Sequence, residues 1–264
     1  NRRGVKDDEG SVIHLEPWFV TGFVDAGGCF SLHVRQNSKL RVGWEIIPIF
    51  SISLHKKDLQ LLEGIKAYFG GIGRISKHGE FSYSYTVTSK KELAILLNHF
   101  DNYGLITRKL ADCLLFKMGF EIFKPKARLV DEGLQYLLAI KASLNLGNNE
   151  ELKVAFQMLK PHLDPPRSLV ESLVVPHPEW TAGFTSGDGS FSVGIWPSTT
   201  KLKFSVNLEF KLTQHNRDKV LLESFVAYFG CGEVRVRSQE STVDFRRRNF
   251  SDIESKIIPF FSKS

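Results

Sequence analysis

The chain holds 264 residues, 42% hydrophobic and 24% charged, enough to bury the core of one or two domains and unlike a disordered or collagen-like polymer. Lysine and arginine number 35 against 29 aspartates and glutamates, a formal charge of +6, which favours a polyanionic partner over a basic one. No apolar run approaches the roughly 18 residues of a bilayer span, and the polar start Asn1-Arg2-Arg3-Gly4 has no signal-peptide core, so a soluble, unsecreted protein with no membrane partner is expected.

Pro17 to Ala26 predicts a helix ended by Gly27-Gly28, since glycine suits the left-handed position just past a helix. Alternation then sets in. Phe30, Leu32 and Val34 oppose Ser31, His33 and Arg35, and a second strand sets Phe50, Ile52 and Leu54 against Ile49, Ser51 and Ser53. Asp58 is expected to cap a helix through Phe69 that Gly70-Gly71 ends, before strands near Ile72 to Lys77 and Phe81 to Thr88 and a helix from Lys90 to Phe100. Helical spacing returns from Glu132 to Leu146 and from Glu150 to Leu159. Five of the ten prolines fall between Pro161 and Pro178, which marks a linker. Beyond it the order is a helix to Ser186, strands near Phe191 to Trp196 and Lys203 to Thr213, a helix from Asp218 to Phe229, strands near Glu233 to Ser238 and Thr242 to Arg247, and a last helix from Ser251. The three cysteines, Cys29, Cys113 and Cys231, lie too far apart for a disulfide framework or zinc knuckle and read as small buried hydrophobes.

The second half repeats the first. Trp18, Gly22, Phe23, Gly28 and Phe30 recur as Trp180, Gly183, Phe184, Gly189 and Phe191, and His55, Asp58 and Ala67-Tyr68-Phe69-Gly70 recur as His215, Asp218 and Ala227-Tyr228-Phe229-Gly230. A period this long means duplicated domains. The expected fold is therefore α+β, two pseudo-symmetric αββαββα domains, with residues 1–160 as the first domain and its bracing helices, 161–178 as linker and 179–264 as the second domain.

Each sheet presents one polar or basic set of alternate residues. In the first copy these are Ser31, His33, Arg35, Ser51 and Ser53, joined by Arg74, Ser76, Ser82 and Ser84. In the second they are Lys203, Ser205, Asn207 and Lys211 on one strand, and Arg235, Arg237, Thr242, Arg246 and Arg248 on the last pair. Such a face is either the solvated side of an antiparallel sheet or a surface whose side chains bond base edges and phosphates of a major groove; two such sheets would form a basic saddle. The repeated helices carry small residues four apart, Gly22 with Ala26 and Gly183 with Gly187, which lets two backbones pack closely. Asp188 ends its helix, where the macrodipole disfavours an anion. It is either a solvated loop carboxylate or a ligand for a hard cation such as Mg2+.

Val20-Thr21-Gly22-Phe23-Val24-Asp25-Ala26-Gly27-Gly28 and Thr181-Ala182-Gly183-Phe184-Thr185-Ser186-Gly187-Asp188-Gly189 resemble the two motifs of single-chain LAGLIDADG homing endonucleases, and the Tyr-Phe-Gly turns, Asn145-Leu146-Gly147 and Ile257-Ile258-Pro259-Phe260-Phe261 resemble the branch encoded in fungal mitochondrial introns. The resemblance implies a monomer whose sheets bind a long asymmetric site in double-stranded DNA, a mitochondrial location, and divalent metal, Mg2+ or another, held by one acid at the foot of each motif helix, with the backbone carbonyls of Ala26 and Gly187 nearby. The second acid is Asp188; at the catalytic position of the first motif stands Gly27. Asp25 lies two residues earlier, rotated by roughly 200°, and is expected to serve local hydrogen bonds instead. Impaired cleavage is the expectation, with intron RNA maturase activity or DNA binding without cutting as the alternatives.

Overall fold

The computed structural model describes residues 14–41, 43–123, 131–144, 174–199, 201, 203–238 and 240–262. In chain order the first copy comprises α1 (Pro17–Gly27), β1 (Gly28–Gln36), β2 (Trp44–His55), α2 (Leu59–Tyr68), β3 (Arg74–His78), β4 (Ser82–Val87) and α3 (Lys90–Asn102), followed by α4 (Lys109–Phe123) and α5 (Asp131–Ser143). The second comprises α6 (Pro178–Asp188), β5 (Gly189–Pro197), β6 (Phe204–His215), α7 (Lys219–Phe229), β7 (Glu233–Val236), β8 (Thr242–Arg247) and a final helix over Phe250–Asp252, Ile253–Ile257 and Ile258–Phe261, whose middle turn is π. The expected helix from Glu150 to Leu159 and most of the proline-rich linker lie outside the described residues.

Both sheets are antiparallel and share one strand order, β1-β2-β4-β3 and β5-β6-β8-β7. The register repeats as well: Phe30 faces Phe50 across β1 and β2 as Phe191 faces Phe210 across β5 and β6. The α+β duplication expected from the sequence is thus the fold.

Two local expectations are corrected. Neither Gly27 nor Gly28 takes a left-handed backbone; α1 passes straight into β1 with no turn between them, so no left-handed stop is needed. Asp58 makes no capping bond. His55 does, its Nδ1 accepting from the Lys57 N–H at 3.2 Å, and His215 repeats this with Arg217 at 3.2 Å. Gly70 and Gly71 do end α2 with positive φ, 78° and 84°. Cys113 and Cys231 are buried, Cys29 is half-buried, and all three are free thiols.

The chain gathers into two compact units that cut across the repeat: α1 and residues Ile106–Arg108 belong with the second copy, while Gly28–Leu105 with α4 and α5 form the first unit. In the first unit α4 and α5 pack on β1. Phe30 sits at ring distances of 5.1, 5.7 and 5.5 Å from Phe50, Phe100 and Phe116. In the second, Trp180, Phe184, Phe210, Phe225 and Phe245 build the core between α6, α7 and the sheet.

Within this second unit α1 and α6 meet backbone to backbone. A Cβ on Gly22 would lie 2.0 Å from the carbonyl oxygen of Trp180, and one on Gly183 would lie 2.0 Å from that of Phe19. The two contacts are reciprocal, so each helix buries its glycine in the other's backbone, which cannot step aside as a side chain can. Gly22→Ala and Gly183→Ala should therefore each cost about 1–3 kcal/mol of unfolding free energy through overpacking. Gly104→Ala, into open space, should stay within about 0.5 kcal/mol. Urea titration of the three variants reads this; a neutral Gly22→Ala would refute the contact.

Candidate nucleic-acid interface and acidic site

The close approach at Gly22 and Gly183 carries Asp25 into the interior of the second unit, 1% exposed. Its carboxylate accepts four hydrogen bonds: from the Trp180 indole N–H at 2.8 Å and the Ile106 N–H at 3.0 Å on Oδ2, and from the Thr107 N–H at 3.1 Å and hydroxyl at 2.6 Å on Oδ1. One residue further on, the Arg108 N–H donates to buried Asp218 at 3.0 Å. Two carboxylates thus hold the three-residue segment Ile106–Arg108 against α1 and the start of α7. Asp25 serves structure, as the helical rotation predicts.

The last turns of α1 and α6 also meet, with a Cβ on Gly187 falling 2.4 Å from that of Ala26. Asp188 ends α6 half-buried, and the Gln214 side-chain amide donates to its Oδ2. A neutral amide dipole therefore eases the anion at this helix end. Gly27 is exposed, its φ is ordinary, and a Cβ there would meet nothing within 4 Å. Of the two helix ends only that of α6 carries a carboxylate, Asp188, and no group of three or more acids, histidines or cysteines occurs among the described residues. These residues do not fit a paired metal centre, which needs an acid on each side.

The polar set of each sheet lies on one face. Across the first sheet Arg35 pairs with Glu45, Ser53 with Ser84, Arg74 with Thr86, Ser76 with Ser84 and His55 with Ser82; Ser31, His33 and Ser51 share their parity. Across the second, Asn207 pairs with Gly194, Ser205 with Trp196, Lys211 with Arg246, His215 with Thr242 and Arg235 with Asp244. Lys203 stands just before β6 with φ 57°, while Arg237 and Arg248 directly follow β7 and β8.

Five of these arginines are paired with acids. Arg35 binds Glu45 at 2.7 Å, and Glu233 takes Arg235 at 3.1 Å and Arg246 at 2.9 Å. Arg237 grips Asp244 with two nitrogens at 2.8 and 3.0 Å and reaches Glu240 at 2.9 Å, and Arg248 binds Glu209. Hydrogen bonds from these arginines hold the Glu45 and Glu233 carboxyls below the usual range. The acids are what a count of basic residues misses, although Glu209, Glu233 and Asp244 share the alternation that marks the face. A shallow cavity of about 370 Å³ opens on it, lined by Ser192, Gly194, Trp196, Asn207, Glu209 and Arg248. Trp196, exposed and folded over Gly194, reads in the sequence as one more apolar residue.

Burial pushes the Asp25 carboxyl up to about 6 from 3.8, with its four donors pulling it back. The folded chain then binds the proton more tightly than the unfolded one. This carboxyl's contribution to stability is full below pH 3.8 and is lost as the pH rises through 6, a change of about 3 kcal/mol. In Asp25→Asn an amide faces two donors, at about 1–3 kcal/mol for each group left unsatisfied. Unfolding at pH 4 to 7 should show a less stable variant whose gap to the parent narrows as the pH rises. A constant gap would show that Asp25 does not titrate in this range.

The comparisons agree with this architecture. The model of the LAGLIDADG endonuclease family matches residues 20–120 and 181–264. Probable intron-encoded endonuclease 3 of Neurospora crassa is 35% identical over 254 residues, 96% of this chain and 47% of that protein, and probable intron-encoded endonuclease 2 of the same fungus is 34% identical over 94% of this chain and 56% of its own length. The chain thus spans about half the length of these curated relatives. Among solved structures, the I-SmaMI LAGLIDADG homing endonuclease bound to cleaved DNA superposes with a TM-score of 0.91 at 44% identity, over 95% of this chain and 83% of that one. I-GzeII in complex with its DNA target gives 0.85 at 42% identity, over 95% and 84%. The chain belongs to the LAGLIDADG endonuclease family.

Proposed function

We propose that this protein binds a specific duplex DNA site as a monomer, through the polar faces of its two sheets, and that it cuts this site poorly or not at all. The repeat halves 1–160 and 179–264 are, in this reading, the two DNA-contacting domains. Gly27 is the observation that carries the impaired cleavage: the foot of α1 offers no side chain where Asp188 stands at the foot of α6. A bound divalent cation such as Mg2+ supplies positive charge to the attacking and leaving oxygens of a phosphodiester displacement, and Asp188 with the backbone of Ala26 and Gly187 would hold one only in part. DNA binding rests on different residues, the serine, asparagine, lysine and arginine side chains of the sheets, and needs no metal. The probable intron-encoded endonucleases among the relatives, with an uncharacterized 50.9 kDa protein in ND4 intron 1 of Podospora anserina, support a mitochondrial setting.

Binding should follow phosphate neutralisation, log affinity falling with log salt by about 0.9 per phosphate contacted. Asn207→Ala should relax preference at one base position by about 1–3 kcal/mol, whereas loss of a phosphate contact should weaken all sequences alike. A duplex selected from a random library and titrated at several salt concentrations tests both. A flat salt response, or binding only as a dimer, would sink the reading.

Gly27→Glu should restore cleavage. The backbone there is unstrained and the space is open, so the new carboxylate costs the fold little, and the rescued protein should nick and cut the selected duplex with Mg2+. Asp188→Asn in that background should abolish the gain. Strong double-strand cutting by the parent would show that another acid serves the site and would end the impaired-enzyme reading.

A further inference from the structure

One side chain on the polar face of the second sheet breaks its pattern. Trp196 faces the same way as Ser192 and Gly194 on β5 and as Ser205, Asn207 and Glu209 on β6, and it is the one large apolar side chain on that face among the described residues. Phe191, Val193 and Ile195, also exposed, alternate with it and lie on the opposite face. At the equivalent positions the first copy has His33 for Gly194, Arg35 for Trp196 and Glu45 for Ser205, and there the cross-strand pair is the ion pair of Arg35 with Glu45. The second copy has therefore put an aromatic ring where the first keeps a charge.

The ring is held in place. Its pyrrole edge lies on the Gly194 backbone, where an added Cβ would stand 2.8 Å from Nε1 and 3.4 Å from Cε2. Pro197 behind it keeps the Trp196 backbone extended. Yet 58% of the residue is open to solvent, in a residue type that is highly buried on average. The indole's one polar atom is the one nearest the sheet, so the surface it offers a partner is carbon. It forms the apolar wall of the cavity of about 370 Å³ whose other sides include the Asn207 amide and the ion pair of Glu209 with Arg248.

We infer that Trp196 is a specificity-determining residue that reads a thymine through its 5-methyl group. The inference rests on the reading that the polar sheet faces bind duplex DNA. Every base edge in the major groove presents hydrogen-bond donors or acceptors, which the polar side chains of this face can meet, but thymine alone presents an apolar group. Indole is the side chain here that gains by covering it, and a ring with two rotatable bonds loses little freedom in doing so. Asn207, beside the same cavity, carries the amide that pairs with N6 and N7 of adenine. The two side chains thus suit the two edges of one A·T pair.

The test uses the duplex that the intact chain selects from a random library. Each thymine is replaced in turn by deoxyuridine, which removes the methyl group and leaves the hydrogen-bonding edge unchanged. At one position the parent should lose about fourfold in affinity, the worth of burying one methyl group. Trp196→Ala should bind the two duplexes equally, keep the parent's ranking at the other positions and keep its salt dependence, which reports phosphate contacts. Trp196→Phe should retain part of the discrimination, and 5-methylcytosine placed at that position should bind the parent better than cytosine. Indifference of the parent to every deoxyuridine, or a Trp196→Ala variant that loses affinity for all duplexes alike, would overturn the assignment and leave DNA binding standing. Failure to select any duplex would overturn the DNA-binding reading and the assignment with it.

Discussion

The reciprocal contact of Gly22 with the Trp180 carbonyl and Gly183 with that of Phe19 is the constraint on which the second unit is built. Two helices can approach to backbone distance only where neither carries a side chain at the crossing, and both copies of the motif meet that demand at the same position. The crossing aligns the last turns, so that Gly187 rests on Ala26. It also brings the indole of Trp180 to Asp25, which then collects Ile106 and Thr107. Helix packing, the buried carboxylate and the pinned segment are one arrangement, and a methyl group at the crossing strains all three.

The polar sheet face of the second unit is a lattice of opposite charges. Its ion pairs are largely exposed, and such pairs contribute about 0–1 kcal/mol each. Pairs this weak exchange readily for other contacts. Arg237 is the exception. Two bonds to Asp244, itself bonded by the Thr213 hydroxyl at 2.7 Å, and a third to Glu240 make it a brace of the β7–β8 end. Glu233, by contrast, is shared between Arg235 and Arg246, so either can leave while the other remains paired.

The duplication made the architecture legible, because Phe30, Leu32 and Val34 and their echoes Phe191, Val193 and Ile195 fix the strands, and the Tyr-Phe-Gly turns fix the helix ends. Local chemistry was less legible. Asp58 is a capping residue by type and His55 is not, yet the 3-10 turn between them puts the histidine at the cap. Gly27-Gly28 looks like a helix stop, yet a helix that runs directly into a strand needs none. The same alternation gives a buried face on β1 and a bare one on β5, because burial depends on a layer of helix that a strand's own residues do not encode. Asp25 was legible for a geometric reason: a rotation of about 200° from the next-but-one residue places it opposite the site whatever else surrounds it.

The two motif copies differ at the same pair of positions. In the first, Asp25 stands two residues before Gly27; in the second, its counterpart Ser186, whose hydroxyl turns back to the Ala182 carbonyl at 2.9 Å, stands two residues before Asp188. The two positions answer to different demands. Asp25 is tied into the fold by four donors, so its loss unsatisfies buried groups and is felt as stability. A side chain at position 27 would point into open space and touch nothing the fold needs, so glycine there carries no packing cost. The packing of α1 on α6 thus depends on the glycine crossing and on Asp25, and not on position 27.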